Sequence, residues 1–169
     1  MKSLPRFKLV AATADDAMAI ASLRARVARS LTLQFGKGHW SSGGTERGVL
    51  FDMRGSMVCV ARSRNRLIAT LRLSTKKPWA VDKAYFSACK RPLYLTSMAV
   101  EPEMQRKGIG RLCVEEAMTI ARAWPADAIR LDAYDAQAGA GEFYRKCGFR
   151  EVGRASYRDV PLIYFEMLV

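Results

Sequence analysis

The stretch LTSMAVEPEMQRKGIGRLCVEEA, residues 95–117, decides how the chain is read. Its first part extends an apolar run that carries Tyr94, Thr96 and Ser97 between Pro92 and Pro102, which predicts a buried strand over 93–100. Its last part opens a pattern of Ile109, Leu112, Cys113, Ala117, Ile120, Ala121 and Trp124 at three- and four-residue spacing, stopped by Pro125. That is the clearest amphipathic helix in the chain. Between strand and helix lie two glycines with Gln105, Arg106, Lys107 and Arg111. A phosphate cradle needs backbone N–H groups aimed at the anion, glycines that let the backbone come close, and a helix N-terminus behind them. Residues 104–111 meet all three needs; the alternative is a solvated basic turn.

The better-known phosphate loops fail on particular residues. No Gly-Lys-Ser/Thr follows, so the P-loop pattern is absent, and Cys113 stands where a dinucleotide fingerprint needs its last glycine. What is left is Gln105-x-x-Gly108-x-Gly110 after a strand.

Outward from this stretch, 7–12 read as a strand, and Thr13 with Asp15 and Asp16 starts a helix over about 14–30. FGKGHWSSGG, residues 35–44, is a loop, and a weaker helical pattern covers about 45–54. Runs 57–63 and 67–74 form a hairpin around Arg64-Asn65-Arg66, and 75–91 form a long connection. Beyond Pro125 come a strand at 129–134, a short helix at 139–146 ended by Gly148, and two strands broken near Pro161. Helices and strands interleave in both halves, so the fold class is mixed α/β.

Length and composition suit one domain spanning 1–169, with no repeat or low-complexity tract. The N-terminal MKSLPRFKLV lacks an apolar leader segment, and no run of eighteen apolar residues occurs, so a soluble cytoplasmic protein is expected. Cys59, Cys89, Cys113 and Cys147 are scattered and read as reduced thiols, mostly buried; with His39 as the single histidine, no metal site is expected. Lys and Arg number 28 against 16 Asp and Glu, a net +12 that favours anionic partners without choosing among them. The charge is interspersed rather than run together, which argues against a dedicated nucleic-acid tail.

The Gln105–Gly110 pattern resembles the pyrophosphate-binding motif of the Gcn5-related N-acetyltransferases, and residues 95–117 resemble that family's core strand, loop and helix. A second stretch, AGEFYRKCGFREVG at 140–153, is similar to the family's short helix leading into a strand. The resemblance covers about 93–155. It implies a mostly antiparallel mixed sheet, helices on both faces, and a splayed pair of parallel strands. It also implies acetyl-CoA as cosubstrate, with Met98, Ala99 and Val100 along the pantetheine arm. Gln105, Arg106, Lys107, Gly108, Ile109, Gly110 and Arg111 would hold the pyrophosphate. Gln137 stands where many relatives carry an asparagine that contacts the arm. Tyr144 matches the tyrosine that donates to the departing thiolate, and a phenol of pKa about 10 suits a thiol of about 8.5. For the base, Asp132 and Glu101 are the candidates.

Each residue also has a plainer reading. Tyr144 fits a core aromatic, Asp132 the polar face of a strand, and Glu101 a strand-end surface acid. His39 beside Trp40 borders the region where the acceptor binds in the family, yet suits a surface histidine; Trp79, Tyr85 and Phe86 either shape an acceptor pocket or pack the long connection down. Cys113 and Cys147 read as filler. The leading function is transfer of an acetyl group to a primary amine by direct attack in a ternary complex. The alternative is a basic RNA- or ribosome-binding module on the same scaffold. Dimers are common in the family, which leaves a homodimer open; no membrane partner is expected. The positive charge tilts the acceptor toward acidic amino acids, nucleotide-linked amines or peptide termini rather than polycations.

Overall fold

A computed structural model describes residues 7–169. The N-terminal residues 1–6, part of the segment read for a leader, lie outside the described residues. The element order is β1 (Val10–Ala11), α1 (Ala17–Phe35), α2 (Glu46–Gly55), β2 (Met57–Ser63), β3 (Arg66–Ser74), β4 (Pro92–Val100), α3 (Ile109–Ala123), β5 (Ala128–Tyr134), α4 (Gly141–Lys146), β6 (Arg150–Tyr157) and β7 (Val160–Leu168). The strands form one seven-stranded sheet in the order β1-β2-β3-β4-β5-β7-β6, mostly antiparallel, with β4 and β5 parallel. The mixed α/β expectation, with its parallel pair and flanking helices, is met. The chain forms two compact units: the stretch up to Leu73 with Ser97–Ala117, and Ser74–Thr96 with Met118–Val169.

In the first unit, α1 starts at Asp15 and Asp16, whose carboxylates sit where the helix N-terminus favours negative charge. Asp16 accepts from the Thr13 N–H at 2.9 Å and pairs with Arg62. That backbone hydrogen bond, and then Arg62, hold its carboxyl below the usual range against some burial. α1 runs to Phe35, five residues past the sequence expectation, because Leu31 and Thr32 continue the helical ladder until Gly36 at φ 81 ends it. Thr45 caps α2 by accepting from the Gly48 N–H at 3.1 Å. Ala17, Ile20 and Leu23 of α1, Val49 of α2, Val58 and Val60 of β2, Leu67 of β3 and Ala99 of β4 make its core. Each fully buried Leu, Ile or Val there contributes about 1.5–3 kcal/mol.

The second unit is built on β5, β7 and β6. The final strands turn at Arg158-Asp159, both left-handed at φ 48 and 64, whereas the sequence reading broke them near Pro161. Both central residues at positive φ make the two-residue hairpin that matches strand twist, so Pro161 sits inside β7, in register with Ser156. The same dihedrals recur at Arg64-Asn65 between β2 and β3.

Tyr85 and Phe86 of the long connection pack on Tyr164, and Val81, Tyr94 and Leu162 complete the cluster. Lys77 Nζ donates to the carbonyls of Pro78 and Val81 at 2.9 and 2.6 Å, which further ties the connection to itself. Trp79 is left 84% exposed.

Beneath it, Arg130 Nε donates to Glu166 at 3.0 Å with side chains only 5% and 1% exposed, and Arg130 Nη2 donates to the Ser87 carbonyl at 2.5 Å. Burial pushes the Glu166 carboxyl up, but hydrogen bonds from Ser87 and Arg130 outweigh it, and the net shift is downward. A depressed carboxyl stabilises the fold above its unfolded pKa and loses that contribution as pH falls through the folded one. Urea denaturation at neutral pH should therefore show Glu166→Gln destabilised by about 3 kcal/mol, because a buried guanidinium loses its partner. The gap between variant and wild type should shrink below pH ~4.

Candidate active site

The turn after β4 combines left-handed backbone with the start of a helix. Arg106 at φ 58 and Gly108 at φ 80 are both left-handed, flanking Lys107. Alternation of left- and right-handed residues turns successive N–H groups toward one side, an arrangement suited to anionic oxygens. Directly after it α3 begins at Ile109; the Leu112 N–H bonds the Gly108 carbonyl at 3.1 Å, while those of Ile109, Gly110 and Arg111 have no carbonyl four residues back within the helix. Gln105 is exposed, and its Nε2 donates to the Val100 carbonyl at 3.0 Å, which closes the turn. Arg106 and Lys107 are exposed, and Arg111 pairs with Glu115 one turn along α3. The residues present fit a pyrophosphate: backbone donors, a helix start, and cations free to approach.

Within β4, Ala99 is buried in the core, Met98 and Val100 are half-buried, and Ser97 is left-handed at φ 52. A left-handed residue inside a strand bends it and interrupts its ladder. Sequence periodicity carries no signal for this bend, since Ser97 satisfies the same alternation as its neighbours.

The paired register of β4 with β5 runs for three residues, Pro92↔Ala128, Leu93↔Ile129 and Tyr94↔Arg130. On its other edge β5 pairs with β7 along its full length, Ala128↔Leu168 to Tyr134↔Leu162. Alternation then assigns faces. Asp132 lies opposite Tyr164, on the face covered by the long connection. Leu131, opposite Phe165, lies on the other, and there α4 packs: Tyr144 stands 6.0 Å from the Phe165 ring, 5.6 Å from Phe149 and 5.1 Å from Phe143. Asp132 and Tyr144 thus belong to opposite faces of one strand pair.

Burial pushes the Asp132 carboxyl up, and no cation offsets it. Burial first, and then the charge of Asp132, pushes the Tyr144 phenol well above the usual phenol range. The Tyr134 phenol rises for the same two reasons; that of Tyr164 rises chiefly by burial, against a hydrogen bond at Asp82 that lowers it, with the charge of Asp132 a smaller contribution. Gln137 is exposed in the turn that follows β5. Thr96, whose side chain alternates onto the same face as Tyr94, has a buried Oγ1 with no hydrogen-bond partner, a feature without a sequence signal because threonine is common in strands.

Glu101 is arranged differently. It is buried, and Arg26 Nε and Nη2 hold its two oxygens at 2.9 and 2.8 Å, with Arg66 3.7 Å away. A carboxylate held at both oxygens by a guanidinium is an anchor for α1, unlike the strand-end surface acid of the plainer reading. His39 is exposed in a short helical turn, next to Trp40, whose Nε1 donates to the Gly36 carbonyl. Cys59 and Cys113 are buried, and burial pushes their thiols up to about 11 and about 12; Cys89 and Cys147 are only half-buried. Among the described residues no group of three or more His, Cys, Asp or Glu is placed to hold a metal, and no helix is long and apolar enough to cross a membrane.

The family model described as the acetyltransferase (GNAT) family matches residues 25–149. No curated protein matches the chain. Among solved structures, a GNAT acetyltransferase from Listeria monocytogenes 4b F2365 is 17% identical with a TM-score of 0.75, covering 96% of this chain and 95% of that one. The ribosomal-protein-S18-alanine N-acetyltransferase of Escherichia coli is 15% identical with a TM-score of 0.69, covering 97% and 94%. The PaiA N-acetyltransferase of Thermoplasma acidophilum, solved in complex with coenzyme A, is 14% identical with a TM-score of 0.69, covering 95% and 98%. At these identities the likeness is one of fold.

The turn's two left-handed positions should respond oppositely to substitution. Gly108→Ala places a side chain where L residues cost about 1–2 kcal/mol, and Arg106→Gly relieves such a cost. Urea denaturation should show the first destabilised and the second unchanged or stabilised.

Proposed function

Since the chain belongs to the GNAT acetyltransferase family, we propose that it moves the acetyl group of acetyl-CoA to a primary amine by direct attack in a ternary complex. The observation that carries this reading is the early end of the β4–β5 pairing at Tyr94↔Arg130, beyond which β5 carries Asp132 on one face while Tyr144 packs on the other. Such a pair can serve an incoming amine and a departing thiolate from two sides. Acetyl-CoA supplies an activated thioester carbonyl. The amides from Gln105 to Arg111 would hold its pyrophosphate, and the backbone of Met98, Ala99 and Val100 its arm.

Asp132 accepts the proton that the amine must lose. Its raised pKa makes it a stronger base than an exposed carboxylate. The amine nitrogen bonds to the carbonyl carbon, the carbon–sulfur bond breaks, and the sulfur leaves as thiolate. Tyr144, kept as a phenol by its raised pKa, donates a hydrogen bond to that thiolate. Glu101, bound on both oxygens by Arg26, is assigned to positioning α1 rather than to proton transfer.

Thermal shift with acetyl-CoA against a short RNA separates this reading from the RNA-binding one. Stabilisation by acetyl-CoA is expected; a shift with RNA alone would reverse the choice. Asp132→Asn should lower kcat by about 10²–10⁴-fold. It should also abolish the rise of rate with pH, a limb centred above the ordinary Asp value of about 3.9. A carboxyl whose folded pKa is raised costs stability once pH passes its unfolded value. Asp132→Asn should therefore melt no lower than wild type at neutral pH. Tyr144→Phe should reduce kcat more than acetyl-CoA affinity, and unchanged turnover would remove Tyr144 from its role.

A further inference from the structure

Asp132 is the exception among the acids of the second unit. Asp127 pairs with Arg91 at 3.2 Å, Asp135 and Glu151 are both held by Arg154, and Glu166 holds Arg130. Asp132 is half-buried, yet no ion pair reaches it from any described residue. Supply is not the reason, since the chain carries 28 Lys and Arg against 16 Asp and Glu.

The cations nearest in the fold are engaged elsewhere. Arg130 lies two residues earlier on the same face of β5, but its Nε donates to Glu166 and its Nη2 to the Ser87 carbonyl, with the guanidinium 4.9 Å from the Phe86 ring centre. Lys77, in the connection that covers this face, gives its ammonium to the carbonyls of Pro78 and Val81. The neighbours that Asp132 does have are aromatic: Tyr134 two residues on, and Tyr164 directly across on β7. Ring faces attract cations, more strongly where water is partly excluded. Asp132 and Tyr134 are each only half-buried, so both stay open to solvent on one side.

We propose that the cation missing from Asp132 is the acceptor itself. Resting on the acyltransferase reading above, Asp132 and Tyr134 receive the acceptor as an ammonium ion and favour amines with no carboxylate close to the nitrogen. The arriving cation favours the ionised form of Asp132, against the burial that raises it. One proton then passes from the ammonium to the carboxylate, leaving a neutral amine with a free lone pair and Asp132 as the acid. A carboxylate next to the nitrogen, as in an α-amino acid, would be brought against Asp132 on a face whose cations are already engaged, and like charges so placed repel. The net charge of the chain tilts toward acidic acceptors; this face tilts the other way.

The test has two arms on the full chain. In the first, without acetyl-CoA, butylammonium chloride is compared by thermal shift with sodium chloride and sodium butyrate at matched ionic strength, and with butanol. Butylammonium alone should give a saturable rise in Tm. Asp132→Asn should lose the rise, and its own melting curve reports whether it folds; Glu142→Gln, which removes an exposed carboxylate elsewhere in the unit, should keep it. Tyr134→Leu should weaken the rise and Tyr134→Phe preserve it. No rise in wild type, a rise that survives Asp132→Asn, or an equal rise with butanol overturns the cation site.

In the second arm, glycine, ε-aminocaproate and butylamine are compared as acceptors by release of coenzyme A thiol. The first two are both zwitterions and differ in how far the carboxylate stands from the nitrogen. Wild type should use ε-aminocaproate better than glycine by about tenfold or more in kcat/KM, mainly through KM. Glycine used equally well or better overturns the acceptor class. Thiol release with none of the three defeats the acyltransferase reading instead, and the cation site is then decided by the first arm.

Discussion

The parallel pairing of β4 with β5 lasts only from Pro92↔Ala128 to Tyr94↔Arg130, and the proposed site in the second unit depends on that early stop. β5 continues to Tyr134, held on its other edge by seven successive pairs with β7. A strand anchored so firmly on one side keeps its alternation, so Asp132 and Leu131 point to opposite faces without ambiguity. The aromatic packing of Tyr144 on Phe165 and Phe149 then fixes where the phenol sits. Burial does the remaining work. It raises the carboxyl of Asp132 and the phenol of Tyr144 together, which suits one to accept a proton and the other to remain a donor.

Much of the positive charge of this +12 chain is used internally. Arg26 holds Glu101, Arg72 and Arg24 share Asp52, Arg130 holds Glu166, and Arg145 and Arg154 share Glu151. Long-range pairs of this kind join segments distant in sequence; Arg26 and Glu101 are 75 residues apart. The surplus lies in turns such as Arg106 and Lys107, where exposed cations and left-handed backbone amides coincide. A high net charge is thus compatible with an anionic small-molecule ligand, and it need not mark a nucleic-acid surface.

The fold was largely legible because its signals are local. Apolar, β-branched runs located β2 and β3, and the three-four spacing of Ile109 to Ala121, stopped by Pro125, located α3. The misplaced break at Pro161 has a physical cause. Proline is a strong turn signal, but Arg158 and Asp159 carry the turn by adopting φ 48 and 64, and asparagine or glycine at those places would have announced it. The candidate site was legible only in part. The Gln105–Gly110 turn follows from residue types in order. That Glu101 is bound by Arg26, that Ser97 bends β4, and that Asp132 has no cation beside it depend on tertiary geometry, which no local pattern encodes.

The central claim is direct transfer from thioester to amine, with Asp132 and Tyr144 serving the two sides of the reaction. The most direct measurement is intact-mass analysis of protein and amine after incubation with acetyl-CoA carrying a labelled acetyl group, with and without a primary amine acceptor. The account predicts labelled amine, free coenzyme A thiol in equal amount, and protein of unchanged mass in both mixtures. Label retained covalently on the protein, or no label on any amine while acetyl-CoA stays intact, would contradict it.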